Sequence, residues 1–254
     1  MKSLFKKFVS SKSATKLRNF LNYRPVIYNL TNINSNASVS DAFLWRTDNN
    51  FRTVFKFTDI LKLFYDIDKS EVKIIFYDKN NNFLKEINFD EISHSNSLLI
   101  EKSFFDGVED FGVFNVFHKS KIKINSIISN RCYMGFSKNN NLFSFVHGNT
   151  YVNSEEIDNS NSASGIIGTS YTKNNKYYLQ NNFSDVERAE LFFCNPSINT
   201  ITFSVNNKNY NLNQGCSKII DVTQSKRVEI NSNCYFLRPL VFSYCDDFFD
   251  VFHG

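Results

Sequence analysis

The chain has 254 residues and a formal net charge of +4, and 42% of its residues are hydrophobic and 16% aromatic. This supports one large or two ordinary domains, and only 8 Gly and 3 Pro exclude disordered and glycine-repeat classes. No apolar run reaches the roughly 18 residues that a membrane-spanning helix needs.

Positive charge is concentrated at the N-terminus. Residues 1–40 hold seven of the 29 Lys and Arg and no Asp or Glu, so the remainder has 22 basic against 25 acidic side chains. Apolar residues lie between these basic residues at helical spacing. We predict a basic amphipathic arm over residues 1–28 that packs on its own protein. Alternatively, residues 1–24 contact an anionic membrane as a peripheral element, or bind nucleic acid.

Residues 39–57 predict a hairpin that turns at Asp48, Asn49 and Asn50, because polar and apolar side chains alternate after the turn. Trp45, Arg46 and Arg52 flank this turn. An indole beside guanidinium groups is a common way to hold a sugar ring or an anion. These three residues are therefore the predicted ligand-binding residues, and the alternative is a surface hairpin whose aromatic side chain is rooted in the core.

Further along, Asp59 is a predicted helix N-cap, and residues 71–89 predict a second hairpin. A second β-rich half begins near residue 129. Within it, residues 153–165 have almost no apolar content and predict an exposed loop.

Residues 189–212 read as a three-stranded meander with turns at 195–197 and 206–209. The short turns leave no room for a crossover helix and predict antiparallel pairing. Together these patterns predict an all-β protein: two antiparallel β-sandwich-like units in tandem, at 29–128 and 129–254, behind a short basic helical arm.

Three histidines end or interrupt aromatic strands, namely His118, His147 and His253. With Asp250 they are candidate ligands for zinc or iron if the strand ends converge in space. The sequence has no HExxH motif, so the alternative is that each histidine is bonded to a backbone carbonyl.

The five Cys include no CxxC pair, which predicts reduced thiols and a cytoplasmic protein, with peripheral membrane contact as an option. The sequence has no GxSxG elbow and no P-loop. We therefore expect a non-catalytic binding or accessory protein whose ligand is a carbohydrate or a protein. The alternatives are a metal-dependent enzyme with its histidines at strand ends and a self-assembling, coat-like structural protein with a basic arm.

Overall fold

The computed structural model describes residues 11–21, 36–122, 124–130, 132–156, 164–169, 174–179, 183–234, 237–245 and 248–254. Most of the predicted arm, at residues 1–10 and 22–28, lies outside these ranges, as do residues 29–35. The described part of the arm contains helix α1, Lys12–Phe20. Leu17 and Phe20 on this helix are half exposed.

In the rest of the described chain, strands are the main secondary structure. A second short helix, α2, spans Ile60–Tyr65, and the Asp59 side chain caps it by accepting a hydrogen bond from the Lys62 amide at 2.9 Å, as predicted. Two 3₁₀ turns lie at Asp48–Asn50 and Lys102–Phe105. The strands are β1 Ala37–Asp41, β2 Phe43–Arg46, β3 Phe51–Phe57, β4 Glu71–Asp78, β5 Phe83–Phe89, β6 Asn96–Ile100, β7 Phe111–Lys119, β8 Ile128–Asn130, β9 Tyr133–Lys138, β10 Ser144–His147, β11 Tyr151–Glu156, β12 Ser164–Gly165, β13 Asn175–Tyr178, β14 Arg188–Cys194, β15 Ile201–Val205, β16 Lys208–Leu212, β17 Ser217–Asp221, β18 Glu229–Ser232, β19 Leu240–Cys245 and β20 Phe248–His253.

These strands form five sheets of four strands each, which confirms the all-β, sandwich-like prediction. Pairing is antiparallel except between β1 and β8, which run parallel. In strand order the sheets are sheet I, β2-β7-β4-β5; sheet II, β10-β9-β3-β6; sheet III, β12-β11-β1-β8; sheet IV, β17-β14-β19-β20; and sheet V, β13-β18-β15-β16.

Sheet IV is a layer shared by two hydrophobic cores. On β14, Phe192 and Cys194 enter the core formed with sheets I and II, whereas Leu191 and Phe193 enter the core formed with sheet V. A strand buried on both faces has no reason to alternate polar and apolar residues. This explains the continuous apolar run at 191–194.

Two predicted strand pairings are wrong, although the strands themselves are present. β14 pairs with β17 and β19, so the 189–212 meander is one strand of sheet IV followed by the β15–β16 hairpin of sheet V. Likewise β2 pairs with β7, while β3 pairs with β6 and β9. In both places the tight turn carries the chain from one sheet to another, which local sequence does not distinguish from a hairpin.

The predicted loop at 153–165 is also partly wrong. Residues 153–156 belong to β11 and pair with β1, and Glu155 there is buried. Lysines from sheet I compensate the charge of Glu155. Residues 153–156, whose polar sequence is typical of an exposed loop, can therefore be part of a buried strand. Residues 157–163 lie outside the described part of the chain.

Strand pairing also crosses residue 128, the predicted border between two units. β9 and β10 pair into the sheet of β3, and β11 pairs with β1. The division into 29–128 and 129–254 stays a prediction. Within the described ranges, no helix is long and apolar enough to cross a membrane.

Candidate functional site

Trp45 and Arg46, two of the three predicted ligand-binding residues, are buried. Trp45 is 0% exposed, packs on Phe105, and donates its indole N–H to the Tyr77 carbonyl at 3.0 Å. Arg46 is 1% exposed. Arg52 is partly exposed and its guanidinium lies 3.4 Å from Glu101. Of these three residues, only Arg52 is exposed enough to contact a ligand.

Arg46 is the centre of a buried ionic cluster that joins β2 to sheet IV. Its guanidinium donates to both carboxylate oxygens of Asp48, at 2.9 and 2.8 Å, and to Glu190 at 2.8 Å. The Tyr244 hydroxyl donates to the same Glu190 carboxylate at 2.7 Å. Although burial lowers the pKa of Arg46, the hydrogen bond and charge of Asp48 and the field of Glu190 raise it overall. This cluster is structural, because its groups are already paired with one another.

Of the three predicted histidine ligands, two meet and one does not. His253 Nε2 lies 3.1 Å from His147 Nδ1, between β20 and β10. His118 is fully buried elsewhere, where it bonds the Thr58 carbonyl at 3.0 Å and the Asn130 side chain. Asp250 accepts from Ser144 at 2.7 Å. Across the described ranges, no group of three or more His, Cys, Asp or Glu is close enough to hold a metal ion.

The surroundings of His253 favour its neutral state. His147 Nδ1 also lies 2.9 Å from the Gly148 carbonyl, which can only accept, so the hydrogen on His147 Nδ1 points to that oxygen and to His253 Nε2. Burial is the main cause that lowers the pKa of His253 to about 4, with smaller contributions from Arg238 and His147. His253 therefore stays uncharged at neutral pH.

The strongest candidate site is a cleft of about 450 Å³ over the outer face of sheet I. We call it the amide cleft, because side-chain amides are the most frequent polar groups in its lining. Two aromatic rings lie beside them. Those lining residues are Asn81, Asn115, Asn153, Asn195 and Gln214, with Tyr77 and Phe83.

The walls of the amide cleft come from three different parts of the fold. β4, β5 and β7 of sheet I form one wall, β11 of sheet III forms a second, and the turns at 195–197 and 213–215 form the third. Gly215 has φ of +69°, and a Cβ there would lie 2.3 Å from the Asn81 side chain. Glycine thus lets the third wall approach the β4–β5 turn closely, and the Ser217 amide locks the two together by donating to the Lys79 carbonyl at 2.9 Å.

A buried ionic triad forms the base of the amide cleft. The ammonium groups of Lys73 on β4 and Lys119 on β7 bind the two carboxylate oxygens of Glu155 on β11, the latter pair at 2.7 Å. All three residues are less than a tenth exposed. The two ammonium groups fix β11 against sheet I.

The amides of the cleft divide into positioned and exposed groups. Asn153 donates to the Asn115 oxygen at 2.9 Å, and Asn195 donates to the Asn199 and Leu212 carbonyls at 2.7 and 2.9 Å. Asn81 and Gln214 are exposed at the mouth. The accessible amides at the mouth offer both donors and acceptors to a ligand.

The two aromatic residues differ in polarity. Phe83 is 62% exposed at the rim of the amide cleft. Tyr77 is partly buried, and burial raises the pKa of its hydroxyl, as do the charges of Glu155 and Glu86. The phenol therefore remains a hydrogen-bond donor at neutral pH.

Sequence reasoning missed this site for a local reason. Asn153 and Glu155 lie in the stretch read as a loop, and Tyr77, Asn81 and Phe83 were read only as a hairpin. One signal was available in the sequence. Lys73, Ile75 and Tyr77 alternate with the core residues of β4 and so lie on the opposite face of the strand. A solvated face does not need the apolar Ile75 and the aromatic Tyr77, so their presence indicates that another part of the chain covers this face.

The comparisons with known proteins are sparse. No family model matches the chain, and no curated protein matches it. Among solved structures, an α-L-rhamnosidase from Streptomyces avermitilis, complexed with L-rhamnose, is similar over 87% of this chain at 9% sequence identity and a TM-score of 0.24. The match covers 26% of the rhamnosidase chain, so this chain spans about a quarter of that protein. A TM-score this low carries no argument about function.

Proposed function

We propose that this protein is a non-catalytic carbohydrate-binding protein and that the amide cleft holds its ligand. The observation that carries the proposal is the combination of side-chain amides with Tyr77 and Phe83 around one cleft. The cleft volume of about 450 Å³ suits a small molecule or the end of a glycan.

Sugar hydroxyls both donate and accept hydrogen bonds, and a side-chain amide does the same through its NH₂ and carbonyl groups. The exposed amides of Asn81 and Gln214 meet this requirement at the mouth, and the Tyr77 hydroxyl adds a donor nearer the base. The exposed ring of Phe83 offers the apolar surface on which the C–H face of a pyranose packs.

Binding rather than turnover is supported by the state of the carboxylates. Glycoside hydrolysis generally needs two carboxyl groups that face each other across the sugar, one of them free to exchange a proton. Glu155 is committed to Lys73 and Lys119, and Glu86 accepts a hydrogen bond from Asn88 at 3.1 Å.

A panel of neutral and acidic oligosaccharides, titrated by isothermal calorimetry, tests the proposal. Phe83→Ala is expected to weaken binding of the best ligand roughly threefold to tenfold by removing the aromatic surface. Phe248→Ala is the matched control, since Phe248 is 67% exposed on sheet IV and does not line the cleft.

Equal affinity of the wild type and Phe83→Ala, or absence of any sugar ligand, contradicts the proposal. Release of new reducing ends during incubation with the bound oligosaccharide contradicts its non-catalytic part.

A further inference from the structure

The outer face of sheet II carries aromatic and basic side chains together. Alternation of side chains directs Arg52, Val54 and Lys56 of β3 outward, while Phe51 and Phe55 enter the core. The register of β9 and β10 against β3 places Tyr133, Gly135, Phe145 and His147 on the same face. We call Arg52, Lys56, Tyr133, Phe143, Phe145 and His147 the aromatic face.

The ring of Phe145 lies directly over Gly135. A Cβ at Gly135 would be 2.6 to 2.9 Å from three atoms of that ring, so only glycine lets the ring lie this close to the strand. Phe145 nevertheless remains 44% exposed, and Tyr133 on the neighbouring strand is 57% exposed. A ring placed against the backbone, with part of its surface in water, is a stacking platform rather than a core residue.

Cations are interleaved with these rings. The Arg52 guanidinium lies 5.5 Å from the centroid of Phe143, and the Lys56 ammonium lies 5.1 Å from that of Phe145. The two phenylalanine centroids are 6.1 Å apart, close to the roughly 7 Å that separates alternate residues of a strand. An extended ligand with successive planar groups can therefore contact both Phe143 and Phe145.

The charge on this face is one-sided. In β3, β6, β9 and β10, all of which the structure describes, no outward position holds Asp or Glu, although residues 41–254 as a whole are weakly acidic. Carboxylates lie at the borders of this face. Glu101, just after β6, is 3.4 Å from Arg52, Asp41 lines a pocket together with Tyr133 and His147, and Asp250 accepts a hydrogen bond from Ser144 on β10. Lys56 keeps its charge exposed to solvent.

We infer that the aromatic face binds single-stranded nucleic acid. Proteins that bind single strands without sequence preference combine cations for the phosphates with aromatic side chains for the bases. An uncharged glycan would use the rings but would not need the cations Arg52 and Lys56 beside them. The site is separate from the amide cleft, so the two proposals fail independently.

Fluorescence anisotropy of a labelled 20-nucleotide oligo-dT with the full chain tests this inference. Phe145→Ala is expected to weaken binding about tenfold or more, because it removes one stacking partner. Lys56→Gln is expected to reduce the slope of log affinity against log salt by about 0.7, the value for one phosphate contact on a single strand.

Phe248→Ala controls for an exposed phenylalanine on another sheet, and Phe83→Ala controls for the amide cleft; both are expected to leave oligo-dT binding unchanged. Thermal melting checks folding, and Tyr133→Ala provides a second removal of an exposed ring if Phe145→Ala melts early.

Three outcomes overturn the inference. They are absence of oligo-dT binding by the wild type, unchanged affinity in both ring variants (the result expected if residues 1–24 alone bind), and displacement of the oligonucleotide by a neutral oligosaccharide.

Discussion

Two buried carboxylates in this protein are built alike and are used differently. Glu190 is bound by Arg46, Arg188 and Tyr244, and Glu155 is bound by Lys73 and Lys119. Each joins strands of different sheets. The Arg46 guanidinium that binds Glu190 is packed between Phe51 and Phe242, whereas Lys73 and Glu155 line the amide cleft. The ion pairs of Glu190 are therefore structural, whereas those of Glu155 belong to a candidate site. The two clusters differ in whether a ligand can reach them.

The largest effect is expected from breaking the sealed cluster. Glu190→Ala leaves Arg46 and Arg188 with one carboxylate partner fewer, and removing one partner from a buried ion pair costs about 3–5 kcal/mol. Urea unfolding measures this loss. Sugar binding by the folded fraction is expected to stay unchanged, and a loss of sugar affinity would contradict the separation of the two clusters.

A smaller loss of stability, about 2–3 kcal/mol, is expected for Glu155→Gln, because lysine ammonium groups beside a cleft can recover water more easily than groups in a packed core. This variant should also weaken sugar binding, since it releases β11 from sheet I. Unfolding and calorimetry on the same samples give both values. A stability loss without an affinity loss would make the triad purely structural.

These comparisons show what the sequence can predict. Alternation in β3 places Phe51 and Phe55 on one face, which the structure buries in the core, and the β4–β5 and β15–β16 hairpins follow from their turns. Partners of strands are a different matter. The chain leaves β14 through a tight turn for another sheet, and nothing local to residues 195–200 encodes that choice.

The candidate site was less predictable, because it is formed by residues far apart in the chain. Glu155 becomes a buried residue only through Lys73, 82 positions away. Trp45 and Arg46, which the sequence predicts to bind a ligand, are buried, because a guanidinium beside aromatic rings serves a core contact as well as a ligand site.

Tyr77→Phe is expected to leave stability within about 0.5 kcal/mol, as is usual for a substitution at a partly exposed site. It should weaken sugar binding roughly fivefold, the effect of losing one neutral hydrogen bond of about 1 kcal/mol. Calorimetry with the best oligosaccharide measures this, and Tyr178→Phe on sheet V is the control. Equal affinity in Tyr77→Phe would remove the phenol from the site.

The last prediction concerns pH. The unfolded chain protonates His253 near its ordinary pKa of about 6.5, whereas the folded chain resists protonation until about pH 4. Because the unfolded state then binds more protons, stability falls as pH is lowered from about 6.5 towards 4. Burial lowers the pKa of His118 as well, with the same sign.

His253→Gln is therefore expected to reduce, without abolishing, the fall in melting temperature between pH 7 and pH 4. His94→Gln, at an exposed position, should melt like the wild type at each pH. An unchanged pH dependence in His253→Gln would contradict the assignment.

The most direct measurement is a titration of ¹⁵N-labelled protein with the best oligosaccharide, followed through the side-chain NH₂ signals of Asn81 and Gln214, which are assigned by Asn81→Asp and Gln214→Glu. We predict that both signals shift in proportion to sugar bound, while signals from the outer face of sheet II stay fixed. Shifts confined to sheet II, with Asn81 and Gln214 unmoved at saturation, would contradict the account.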